Sequence, residues 1–366
     1  MHKERLTPFQ VLAITVVFLG AGSYLMTSSA LPPHQDGWLG SVVGGLLAIP
    51  MFFIYFRLLH VYPGKDIFQI LTIVCGRIVG KLLIFLYLLF AFLFAATALG
   101  YFIQFVNTVS LAHTPKYLLA ALSVITCMAL CQKGLSAFGR YSEFVFGAVV
   151  IFALAAVTLS LPQAELYHVK PLFSGDWQRL WQQGYAFFSN PFAGAFLLTG
   201  VLDALHPKEK LQSSLGWGLI IAWALLIATE FRNYSVLGNE VMAGLFYPSY
   251  SAAGLIKVGE FFQRIEVLSA LGILFSQITR AAVAVFFICR GLANLCRLDD
   301  YHKLAVPVGF WVFNLSLLLF TSSVEAFSWF DNFRYSLVLP PLVILPLLIW
   351  LIGEIRFRRK KLEGKS

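Results

Sequence analysis

Gly20-Ala21-Gly22-Ser23 lies inside a long apolar run near the start of the chain, and Ser189-Asn190-Pro191-Phe192-Ala193-Gly194 lies inside another. Both stretches put poor helix formers where an apolar helix is expected. Proline lacks a backbone donor and clashes with the preceding turn. Glycine lowers helix propensity by about 1 kcal/mol relative to alanine. A helix interrupted inside a bilayer exposes backbone groups that can hold a ligand. Freed N–H groups near Gly22 and Ser23 would lie at the positive end of the following half-helix and suit a carboxylate. Freed carbonyls from Phe187 to Ser189 would suit an ammonium group or a cation. A zwitterionic amino acid presents both. The alternative for the glycines is close helix packing, the pattern that Gly40 and Gly44 show at i,i+4 in GSVVG.

Other side chains join this set. Tyr101 is either a pocket wall or core packing. Ser276 and Gln277 offer polar contacts to a ligand, or hydrogen bonds between helices. Arg280 is the one basic residue placed well within a span, at a cost of about 2.5–3.5 kcal/mol on insertion scales. It either snorkels to an interface or pairs structurally, or it serves as an inner gate or in place of a coupling cation. Arg140 and Glu143, at i,i+3, are expected to pair with each other. Asp203 and Glu230 fall near span ends and read as interfacial, with proton coupling as the alternative. No Walker-type loop, zinc spacing or nucleophile elbow is present, so neither an enzyme nor a bound metal or cofactor is expected.

The elements that must position these residues follow from composition. Of 366 residues 59% are hydrophobic and 12% charged, against roughly 45–50% and 25% in soluble domains. So few charges cannot cover a soluble protein of this size, and an all-α polytopic membrane protein is predicted. The net charge of +9 fits basic cytoplasmic loops and needs no nucleic acid. Five cysteines lie in membrane or inner segments, so no disulfide framework is expected, and Cys127 and Cys131 read as packing. The basic start, apolar run and SSALPP resemble a signal peptide. A chain with nine further spans needs no cleavage there, and an uncleaved first span is expected.

Apolar runs of bilayer-spanning length, roughly 20 residues, recur ten times, at 8–30, 37–58, 82–106, 115–132, 142–161, 184–205, 212–231, 265–289, 304–321 and 335–353. Spans 1 and 6 open the two halves, and matching interruptions in two halves point to a transporter-type binding site. The interruption in span 1 lies roughly 20 Å from its inner end and that in span 6 roughly 9 Å from its outer end, at 1.5 Å per residue. In a core of ~30 Å the two meet at one depth. Lysines and arginines favour one side strongly, which places both termini in the cytoplasm. Two connecting stretches are amphipathic, Asp66 to Val79 on the inside and Ser251 to Glu266 on the outside. In the second, Leu255, Val258, Phe262 and Ile265 form one stripe and Glu260 and Arg264 an i,i+4 pair. Each reads as an interfacial helix, or as an extension of the neighbouring span.

In order and spacing, LTPFQ before span 1, HQDGWLGSVVGGLLAI at span 2, YPGKDIFQI and CGRIVGKLL before span 3, GLSAFGRYSEF before span 5 and FYPSYSAAGLIKVGEFFQRIEVL before span 8 resemble the B subunit of spore germinant receptors. That family is similar in fold to the amino acid–polyamine–organocation transporters. The resemblance covers nearly the whole chain. It implies ten helices in a five-plus-five inverted repeat with helices 1 and 6 broken: repeat one at about 8–161, repeat two at about 184–353, and a basic tail at 354–366. It also implies a complex with an A-type membrane subunit and a C-type lipoprotein in the spore inner membrane. Where the family reads FLERLD this chain has FFQRIE, and Arg264 and Glu266 are kept as the equivalents. A tryptophan usual soon after is replaced in the Leu271-Gly272 region. Three functions follow: a germinant-binding receptor subunit, an amino-acid permease working by alternating access, and a ligand-gated ion-conducting subunit. The expected ligand is a small germinant, an amino acid by the backbone argument.

Overall fold

The computed structural model describes residues 4–25, 33–62, 64–110, 113–206, 210–256 and 266–363, without the side chains of 21–25, 330, 331, 334 and 359–363. In a bilayer each backbone N–H and C=O must find its partner within the protein, and helices do this segment by segment. The chain forms α1 (Pro8–Leu25), α2 (Leu39–Val61), α3 (Ile67–Cys75), α4 (Arg77–Val109), α5 (Lys116–Lys133) and α6 (Leu135–Leu159). These are followed by α7 (Trp177–Phe187), α8 (Thr199–Leu202), α9 (Leu211–Ala243), α10 (Pro248–Gly254), α11 (Glu266–Cys296), α12 (Ala305–Leu318), α13 (Ser323–Val338) and α14 (Leu345–Glu363). Among the described residues eight helical segments are long and apolar enough to cross a membrane, or nine if His302–Leu318 and Ser323–Trp329, bent by 105°, count as one. Pro8–Gly20 is a shorter apolar helix. The ten runs expected from sequence thus recur as helices, with a membrane-crossing count of eight or nine.

One order of elements occurs twice: two long segments, a short helix, then further long helices. The packing exchanges the two halves. Helix α1 lies on α9, while the broken span containing α7 lies on α2, and α4 crosses α11 between them. The short helix α3 touches α8, and its counterpart α10 touches α1. Such reciprocal contacts are those of a repeat related by a pseudo-two-fold axis in the membrane plane. The centre is aromatic: Phe196 stacks on Tyr87 at 4.4 Å, and Phe68 meets Phe287 edge-on at 4.9 Å.

The two expected interruptions behave differently. Span 6 breaks where predicted. Its helix α7 gives way to a π-helical turn at Phe188–Phe192, in which Asn190 leaves helical geometry (φ −145°, ψ 115°), and then to a 3-10 stretch at Ala193–Leu198. Span 1 does not break at Gly20–Ser23, because α1 is helical through to Leu25. The difference is chemical. Two glycines cost helix stability about 1 kcal/mol each, less than leaving their backbone groups unpaired in an apolar interior. Pro191 has no N–H to keep, so the bond is lost whatever the surroundings.

Edges are set by local chemistry. Thr7 and Gln10 form a reciprocal capping box at the start of α1 (3.0 and 3.2 Å). The segment before it straps the end of the broken span, Leu6 N–H donating to Ala204 O at 2.9 Å and His206 N–H to Leu6 O at 3.0 Å. The inner amphipathic stretch is a helix, as expected, but a shorter one. Asp66 caps α3 through Gln69 N–H at 2.7 Å, and Gly76, at φ +84°, ends it before α4 begins. The outer one is displaced: Pro248 starts α10 and helix ends at Gly254, not spanning 251–266. Leu255, expected on the buried stripe, is 49% exposed, whereas Ile256 is buried. Val258, Glu260, Phe262, Arg264 and Ile265 lie outside the described residues.

Gly40 and Gly44 fulfil the packing reading. A Cβ on Gly44 would stand 2.7 Å from Phe187 Cβ and 2.9 Å from Phe188 N, and one on Gly184 would stand 2.3 Å from Val43 Cγ1. Gly44→Leu is therefore expected to separate α2 from α7 and destabilise the fold by roughly 1–3 kcal/mol or more. Gly147→Leu, which meets nothing within 4 Å, is expected to be tolerated. Membrane abundance and detergent melting temperature check both.

Before α2, Asp36 ties two loops. It accepts from Ser174 N–H (2.9 Å), Ser174 Oγ (2.6 Å) and His34 Nδ1 (2.7 Å). Burial pushes this carboxyl up, yet the three hydrogen bonds and the charge on His34 together hold it below the usual carboxylate range. A lowered folded value means stability present above the unfolded value and lost as pH falls through the folded one. Asp36→Ala is expected to cost about 1.5–3 kcal/mol at pH 7. Its deficit against the parent should shrink as pH drops below about 4, as read by thermal unfolding at both pH values.

Candidate functional site

The break in span 6 opens on a cavity. From the break come Ser189, Asn190 and Gly194. Ser189 Oγ turns back onto Ala186 O at 2.8 Å, and the buried Oδ1 of Asn190 has no hydrogen-bond partner among the described residues. A Cβ at Gly194 would stand 2.5 Å from Phe94 Cε2, so glycine is what lets that ring approach. The facing wall is one stripe of α4: Phe90, Phe94, Thr97 and Tyr101, with Leu93 and Ala98 beside it.

The third wall is α13 and the turn after it, through Trp329, Leu337, Val338 and Leu342. Pro340 and Pro341 sit in a π-helical turn at Leu339–Ile344. Carbonyls released there are met by hydroxyls from other helices, Tyr87 donating to Pro341 O at 3.0 Å and Tyr55 to Leu342 O at 3.3 Å. Tyr101 ties α4 to α13 by donating to Ala326 O at 3.0 Å.

Arg280 enters this cavity from α11. Its Cζ lies 4.7 Å from the Phe94 ring centroid and 5.6 Å from that of Phe18, within cation–π range. The residue is 7% exposed, its Nε has no hydrogen-bond partner, and no carboxylate pairs with it among the described residues. It stands roughly 21 Å along α11 from Glu266 at 1.5 Å per residue, too deep for its side chain to reach an interface. Among the described residues Arg280 makes no ion pair, and its structural partners are the two aromatic rings. Arg290, one helical stretch further, shows the contrast: it grips Asp203 bidentately at 2.6 and 2.7 Å and also donates to Gly200 O.

Of the residues singled out on sequence, the cavity brings together Tyr101, Ser189, Asn190, Gly194 and Arg280. Phe187 is not among them; it packs on Gly40 and Gly44 of α2. Gly20 is buried against Val149 and Ser276, and only the helical backbone of Ala21, Gly22 and Ser23 is described. Ser276 and Gln277 are fully buried beside α1 rather than in the cavity, and the Ser276 hydroxyl and both Gln277 amide atoms find no partner among the described residues. Arg140 is exposed and Glu143 half-buried, with no ion pair between them among the described residues. Glu266 opens α11, and Arg264 lies outside the described residues. Asp203 is paired as above. Glu230 is fully buried rather than interfacial, since α9 continues past it to Ala243 and α10 packs over it.

Sequence reasoning missed Phe90, Phe94 and Thr97, although they stand at i−11, i−7 and i−4 from Tyr101. Extending that stripe would have found them. Trp329, Leu337 and Leu342 had no comparable signal, because the 105° bend between α12 and α13 brings them in.

Comparisons with known proteins agree on family and fold. Solved structures of similar shape include Mhp1, a nucleobase-cation-symport-1 family transporter in a closed conformation with bromovinylhydantoin bound. It matches at TM-score 0.63 and 14% identity, over 95% of this chain and 78% of that one. MhsT in complex with L-phenylalanine matches at TM-score 0.63 and 13% identity, over 95% and 89%. Those likenesses give the transporter fold, in keeping with the inverted repeat. Among curated relatives, spore germination protein KB of Bacillus subtilis (strain 168) is 21% identical over 100% of this chain and 99% of its own length. The putative spore germination protein YfkT of the same organism is 25% identical over 94% and 93%. A sequence model described as spore germination protein matches residues 5–324. Nearly the whole chain is covered by that match, and this multi-pass membrane protein belongs to the spore germination protein family.

Proposed function

We propose that the chain is a germinant-binding membrane subunit. A small germinant, an amino acid, sits in the cavity at the break of span 6, and its binding is signalled to A-type and C-type partner subunits to start germination. The observation that carries this reading is the cavity itself: a family of germination proteins on a transporter fold has an open space at its broken span, with Asn190 unsatisfied in its wall. Asn190 Oδ1 is the acceptor for the amino group, in place of the helix carbonyls expected from sequence. The repeats at about 8–161 and 184–353 enclose the cavity, and the basic tail faces the cytoplasm of the spore inner membrane along with the N-terminus. No step in this reading requires catalysis or a cofactor.

The second reading, a permease, is favoured by the transporters of similar shape, one with bromovinylhydantoin bound and one in complex with L-phenylalanine. Reconstituted protein challenged with labelled amino acids, with binding and uptake scored separately, distinguishes the two. Saturable binding without uptake is expected; uptake against a gradient would favour the permease. Thr97→Trp fills the cavity and is expected to weaken binding at least tenfold at unchanged membrane abundance. Unchanged affinity in that variant would place the site elsewhere.

A further inference from the structure

We propose that Arg280 is the anchor for a carboxylate on the ligand, and that the cavity selects monocarboxylates with an apolar body over amines, amides and cations. The inference rests on the reading that this cavity is the ligand site. Its first support is an imbalance of charge. A guanidinium 93% buried, with 7% exposure, lies mid-membrane with an unpartnered Nε and no carboxylate from the described chain. Arg290 and Arg57, by contrast, each meet a carboxylate, Asp203 and Glu354. A buried charge is retained where something pairs with it, and the space in front of Arg280 is the cavity.

Geometry supports the same partner. Phe94 and Phe18, stacked at 5.7 Å with ring planes 10° apart, hold the Cζ of Arg280 over their faces. The side chain is therefore oriented before a ligand arrives. A planar guanidinium matches a carboxylate through two parallel N–H···O bonds. A cationic ligand is disfavoured twice, by the charge of Arg280 and by the absence of any acidic residue among the described lining residues. Beyond Asn190, Ser189, Thr97 and Tyr101 the wall is apolar, through residues such as Trp329, Leu337 and Leu342, so the side chain of the ligand is apolar too. This moves the carboxylate from the Gly20–Ser23 backbone, which stays helical, to α11. It also makes Arg280 the residue that reads ligand class.

The test uses the full-length protein in nanodiscs and one carbon skeleton in three forms: L-leucine, L-leucinamide and 4-methylpentanoate. Affinity is read by ligand-induced rise in melting temperature and by equilibrium binding. The two carboxylates are expected to bind and the amide to bind at least a hundredfold more weakly. Arg280→Gln should lose carboxylate affinity by a hundredfold or more, and Arg280→Lys by less, since lysine keeps the charge without the fork. Equal binding of acid and amide by the parent overturns the proposal without any variant, as does parental affinity in Arg280→Gln. Failure of every one of the twenty L-amino acids and their deaminated acids to bind, or saturation by chloride alone, overturns it as well. If Thr97→Trp abolishes binding while Arg280→Gln leaves it intact, the cavity stands and the anchor falls. If Thr97→Trp leaves carboxylate binding intact, the site reading itself falls.

Discussion

An unpaired main-chain donor or acceptor in a bilayer costs several kcal/mol, and this fold is organised around the few places where such bonds are surrendered. Pro191 surrenders one because it has no N–H. The chain answers with a π-helical turn, one residue out of helical geometry at Asn190, and a 3-10 stretch before the helix resumes at Thr199. A second release comes at the π-helical turn Leu339–Ile344, where Leu345 N–H goes to Pro340 O and Pro346 has no N–H to give Leu342 O, and there Tyr87 and Tyr55 donate to Pro341 O and Leu342 O. Both tyrosines also pack on Phe196, in the 3-10 stretch of the first break. The two irregular segments thus share supports, and the cavity lies between them.

Charge follows the same economy. Arg57 meets Glu354 at 2.8 and 3.1 Å, and Arg290 meets Asp203 at closer range, each near the end of a helix. Those pairs close the periphery of the bundle. Arg280, at the middle of α11, is packed on two aromatic rings instead. The polar atoms left open among the described residues around the cavity are therefore few and of both kinds, a cation from α11 and an amide oxygen from the broken span. The proposed binding of a small zwitterion would use that pairing, and the surrounding apolar wall would strengthen both contacts by excluding water.

Much of this was legible in the sequence. Hydrophobic run length located the helices, because the bilayer imposes one length on all of them. The break at Ser189–Gly194 was legible because proline's chemistry is independent of context, and GSVVG was legible as packing because only glycine admits Phe187 there. Gly20–Ser23 misled for the opposite reason: glycine permits a break without requiring one, and the surrounding helices decide. Tyr101 was found but not the stripe below it. The depth of Arg280 was readable, yet its neighbours were not, since Phe18 and Phe94 come from two other helices brought in by tertiary packing. The α13 wall depends on a bend between α12 and α13 that no local periodicity announces.

The proposed ligand site lies between the break of span 6 and α13, with Arg280 as its anchor. The most direct measurement is an experimental structure of the reconstituted protein with a saturating apolar amino acid. Ligand density is expected between Gly194 and Trp329, with two oxygens at hydrogen-bond distance from the Arg280 guanidinium and the amino group at Asn190 Oδ1. Density elsewhere, or Arg280 paired with a carboxylate of the protein while the cavity stays empty, would contradict it.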